Sequence, residues 1–84
     1  MRRVGIAVYG RRVAETPTEV RYEVLDDPDG VVDGVLVIDE RRPAERWWVE
    51  GENASTGLAA RIAVRAYRRF QDTGKWPQRA AHQA

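Results

Sequence analysis

The sequence predicts an α+β domain: a four-stranded antiparallel β-sheet wound as a meander, then one long C-terminal α-helix packed on one sheet face. Three observations predict it. Apolar and charged residues alternate strictly from Glu19 to Val24, the pattern of a strand with one wet face. Clusters rich in Pro, Asp and Gly divide the first half of the chain into short runs. From Ser55 to Thr73 the apolar period lengthens to that of a helix.

The first strand is expected over residues 3–9, where Val4, Ile6 and Val8 share a face and Gly5, Ala7 and Tyr9 the other. Gly10-Arg11-Arg12 can extend it through a bulge, and Glu15-Thr16-Pro17-Thr18 breaks it. In the second strand Val20, Tyr22 and Val24 face a core while Glu19, Arg21 and Glu23 face water. Asp26-Asp27-Pro28-Asp29-Gly30 is a turn, because Pro presets its φ, Asp bonds its own backbone and Gly accepts positive φ. The third strand, Val31–Asp39, is apolar on both faces, so both faces are expected to be covered. Arg41-Arg42-Pro43 turns the chain into a fourth strand, Glu45–Glu50. Trp47 and Trp48 are adjacent there and must point to opposite faces.

The helix is entered through the capping candidates Asn53 and Ser55 and closed by Gly74, with Trp76-Pro77 beyond. Ala59, Ile62, Ala63, Ala66, Tyr67 and Phe70 form its apolar face, widened by Ala60 and Val64; Arg61, Arg65, Arg68 and Arg69 lie opposite. Residues 1–77 read as a single domain, and Gln78–Ala84, without periodicity, as a flexible tail.

Charge is divided unevenly along the 84 residues. Residues 1–53 carry eight Arg against twelve Asp and Glu, and residues 54–84 carry six Arg or Lys against Asp72 alone, so a net charge of +1 conceals an acidic front and a basic end. Thirteen Arg against one Lys, with eleven Ala, is the usage of a GC-rich genome and suggests a high-GC bacterial source. With no Cys, there is no disulfide, zinc ribbon or redox thiol, which fits a reducing cytoplasm. The apolar stretch Val4–Tyr9 is too short for a signal peptide or a membrane span. A cytoplasmic location is expected.

No catalytic or metal motif stands out. Nucleophilic catalysis needs a hydroxyl or thiol beside a base, but the sole Ser is a capping candidate, Ser55, and the sole His lies in the tail, His82. Asp26, Asp27, Asp29 and Asp33 fail the spacing of a calcium loop, since a loop begun at Asp27 puts Val31 at its fifth position. Glu19 and Glu23 sit on the wet face of an amphipathic strand, where the pair reads as solvated surface rather than as an acid–base site. No glycine-rich phosphate loop occurs. The protein is therefore expected to be no enzyme, with no cofactor and no metal.

Two binding surfaces remain. A helix covers one sheet face only, so the leading expectation is a non-enzymatic interaction module that homodimerises, or docks a protein partner, through the other face. Tyr9, Leu36, Trp47, Trp48 and Trp76 are its candidate interface residues, as large apolar and aromatic anchors. The alternative is single-stranded nucleic-acid binding through Arg61, Arg65, Arg68, Arg69 and Lys75, near Trp76. The bland account of that stripe is a solvated face in an Arg-rich chain, with Arg68, Arg69 and Lys75 offsetting the helix dipole. No membrane partner is expected. In element order alone, with no shared motif, residues 3–73 resemble the Whirly and transcriptional-coactivator single-strand binders.

Overall fold

The computed structural model describes residues 7–25, 32–51 and 56–83. Five strands, β1 (Ala7–Glu15), β2 (Glu19–Leu25), β3 (Val32–Asp39), β4 (Trp47–Glu50) and β5 (Arg79–Gln83), form one antiparallel sheet with the helix α1 (Thr56–Thr73) placed before β5 in the chain. The strand order is β4-β3-β2-β1-β5. The four expected strands are therefore a meander, and the chain returns after the helix to add a fifth strand on the open edge of β1.

That fifth strand corrects the expected tail. Ala7–Arg11 pair with Arg79–Gln83 in antiparallel register, and the N–H of Arg12 also donates to the carbonyl of Gln78 at 2.8 Å. The backbone donors of β1 need partners on both sides, and this long-range demand overrides a segment with no strand signature of its own. It also departs from the strands-then-helix order on which the resemblance to single-strand binders rested. β1 runs on past Tyr9 to Glu15, and its bulge falls between Arg12 and Ala14 rather than within Gly10-Arg11-Arg12, which pair in regular register with Val24, Glu23 and Tyr22. The Asp26–Gly30 turn, Asn53 and Ser55 lie outside the described residues.

Alternation sorts the strands as expected. Val8, Val20, Tyr22, Val24, Leu36 and Ile38 join Ala59, Ile62, Ala63 and Ala66 of α1 in one core, with Trp47 and Val49 packed against it. Small helix residues bring α1 close to the sheet, and Gly10 meets it there: a Cβ on Gly10 would lie 2.6 Å from Ile62 Cγ2. Gly74 ends the helix in the left-handed region at φ 77°, its N–H donating to the carbonyl of Phe70 at 2.8 Å.

The chain from Gly74 to β5 is anchored under the helix end. Trp76 stacks on Phe70, with ring centroids 4.6 Å apart, and donates from Nε1 to Glu40 Oε1 at 3.1 Å. Arg12 donates to the carbonyl of Trp76 at 2.7 Å, and the buried Tyr22 hydroxyl to that of Pro77. Burial pushes the Tyr22 pKa up. It pushes that of Glu40 up as well, with the charge of Glu15 adding to the effect and the Trp76 hydrogen bond opposing it.

Candidate nucleic-acid interface on the outer face of the helix

Of the five residues expected at a sheet-side interface, three face elsewhere. Leu36 belongs to β3 positions that point under α1, and it and Trp76 are core residues. Trp47 shares the helix-side face with Val49 and is packed against the core. Only Tyr9 and Trp48 lie on the free face, and Trp48 is 40% exposed.

That free face is not an apolar surface. Arg11 pairs with Glu23 at 2.6 Å, and Arg21 pairs with Glu19 at 2.9 Å and Glu50 at 3.0 Å. Trp48 Nε1 donates to Glu50 Oε2 at 3.3 Å. The Glu50 pKa is lowered first by that indole hydrogen bond and then by Arg21. Val37, on the free face of the strand expected to be apolar on both sides, is fully buried. Its cross-strand partners are Arg21 on one side and Trp48 on the other, so long neighbouring side chains cover it without a second layer.

The outer face of α1 differs. Arg61, Arg65, Arg68 and Arg69 are all exposed, as is Lys75. Among the described residues, no carboxylate forms a salt bridge with Arg65, Arg68 or Arg69. Arg61 and Arg65, Arg65 and Arg68, and Arg65 and Arg69 stand three or four positions apart, where like charges destabilise a helix by about 0.2–0.5 kcal/mol each. The dipole does not explain them, since no basic residue occupies the last turn and the dipole effect fades within that turn.

Arg61, Arg65 and Arg68 line one shallow depression of about 380 Å³, with Ala60 and Val64 between them. Val64 is 56% exposed. Beside it runs a second cleft of about 210 Å³ that shares Val64 and Arg68 and adds Trp47, Tyr67, Pro43 and Ala44. Arg69 and Lys75 line neither.

The far wall of that cleft is the β3–β4 connection, and Asp39 fixes it. Its Oδ1 accepts the backbone N–H of Arg41 at 2.8 Å, and its carboxylate also faces the guanidinium groups of Arg41 and Arg46. The Arg41 backbone hydrogen bond is the main cause of its lowered pKa. Arg46 N–H donates to the carbonyl of Arg42 at 2.8 Å, closing a turn around Pro43 and Ala44. Sequence spacing shows the arginine stripe; it does not show that the loop holding Pro43 and Ala44, outside the reach of helix periodicity, supplies an apolar wall beside it.

Among the described residues no group of three His, Cys, Asp or Glu is placed to hold a metal ion, and no helix is long and apolar enough to cross a membrane. Ser55 and the His82 side chain lie outside what the structure describes. No protein-family model matches the chain, and no curated protein or solved structure is significantly similar to it.

Proposed function

We propose that this protein is a non-enzymatic binding module that takes a single-stranded nucleic acid along the outer face of α1. The observation that carries this reading is the continuity of the two depressions: Arg61, Arg65 and Arg68 meet the Trp47–Tyr67 cleft through the shared Val64 and Arg68. Guanidinium groups grip phosphate oxygens through paired donors, and aromatic rings stack bases of any identity. A single strand presents both groups at once. A duplex hides its bases, so the cleft favours the unpaired form.

The like-charge spacing supplies the test. Arg65 stands within one turn of three other arginines, so Arg65→Gln relieves repulsion and is expected to leave thermal stability unchanged or slightly raised. The same variant is expected to weaken binding of a short fluorescent oligonucleotide and to reduce the slope of log affinity against log salt by about 0.7, the loss of one phosphate contact to a single strand. Wild-type protein that leaves the oligonucleotide's anisotropy unchanged at low salt would end the reading.

A second reading, self-association or protein docking through the free sheet face, rests on the exposed Trp48 with Tyr9. The charges around Trp48 are already engaged within the chain, and desolvating them at an interface opposes association.

A further inference from the structure

A concavity opens on the free sheet face, on the side away from α1, where β5 lies beside β1. Tyr9 stands opposite Leu25 on one side and Ala81 on the other. Arg11 stands opposite Glu23 on one side and Arg79 on the other. Tyr9, Arg11, Leu25, Arg79 and Ala81 line a depression of about 320 Å³, at the lower end of the range for small-ligand pockets, about 300–1,000 Å³. Leu25, only 2% exposed, gives it an apolar floor, and Ala81 leaves the space above β5 open.

Two arginines directly across an antiparallel pair repel. Glu23 neutralises Arg11 at 2.6 Å, whereas no carboxylate of the described residues forms a salt bridge with the exposed Arg79. The three charged groups thus leave one positive charge over an apolar and aromatic floor. An elongated polyanion does not match so short a concavity. A single carboxylate does, because its two oxygens meet the donor fork of a guanidinium while its body covers Leu25 and Tyr9.

We propose that this depression is a second binding site, for a small monocarboxylate with an apolar or aromatic body, in which Arg79 holds the carboxylate and Leu25 and Tyr9 hold the body. It is independent of the helix face. Titrating ¹⁵N-labelled protein with phenylacetate is expected to give saturable amide shifts at Tyr9, Gly10, Ala80 and Ala81. Acetate, which lacks the body, and inorganic phosphate are expected to bind about tenfold more weakly or not at all. Arg79→Gln is expected to weaken phenylacetate by about tenfold, the loss of one charge-assisted contact, and Ala81→Leu, which fills the depression from an exposed position, to weaken it as much. Arg65→Gln is expected to leave it unchanged. The proposal is overturned by the absence of saturable shifts, by acetate or phosphate matching phenylacetate, or by Arg79→Gln and Ala81→Leu both binding like wild type with native-like spectra.

Discussion

The free face of the sheet and the outer face of α1 both present arginines, yet the two sets have opposite surroundings. On the sheet, alternation and antiparallel register put Arg11 across from Glu23 and let Arg21 reach Glu19 and Glu50. On the helix, spacings of three and four put Arg61, Arg65, Arg68 and Arg69 beside one another, with Asp72 the lone acid from Thr56 to Thr73. A strand pairs each residue with whatever another segment offers, whereas a helix exposes whatever its own sequence repeats. The same residue type is thus neutralised in one region and accumulated in the other, and arginine number alone does not mark a binding surface.

The largest expected effect tests whether α1 is rolled as described. Ile62 is fully buried against Gly10, and Val64, two residues on, is 56% exposed. Ile62→Ala is expected to cost about 2–5 kcal/mol of unfolding free energy, a large share of a total on the order of 4–12 kcal/mol for a chain of this size. Val64→Ala is expected to stay within about 0.5 kcal/mol. Urea denaturation of both variants measures this, and equal losses would mean that the arginines do not share an outer face.

The smallest expected effect probes the neutralised sheet face. A double-mutant cycle on Arg11 and Glu23 is expected to give a coupling of about 0.2–1 kcal/mol, screened by salt, as for other exposed pairs. Acid acts on the same face through Glu50. Its folded pKa lies below the ordinary 4.5, so its contribution is present above that value and is lost as pH falls through the folded pKa. The urea midpoint of wild type is expected to fall on acidification through that window more than that of Glu50→Gln. Identical acid profiles would remove Glu50 from the network.

Much of the fold is legible in the sequence because it depends on local pattern. Glu19–Val24 alternates and forms β2, and the apolar stripe around Ile62 forms the buried side of α1. β5 was not legible, since Arg79-Ala80-Ala81 has no strand pattern and is ordered by the open edge of β1. The apolar character of both faces of β3 was legible, but the way Val37 is covered was not: it is buried between Arg21 and Trp48 by register, which no single run of sequence displays. The proposed site divides in the same way. Arginine spacing shows its basic half, while the wall built from Pro43, Ala44 and Trp47 depends on how the Asp39-anchored loop meets Tyr67.

Light scattering after size exclusion, at low and high salt, with and without a short single-stranded oligonucleotide, compares the two faces in one experiment. The account predicts a monomer at both salt concentrations that forms a complex with the oligonucleotide at low salt only. A salt-resistant dimer indifferent to the oligonucleotide would contradict it, making the sheet the interface and the arginine stripe a solvated surface.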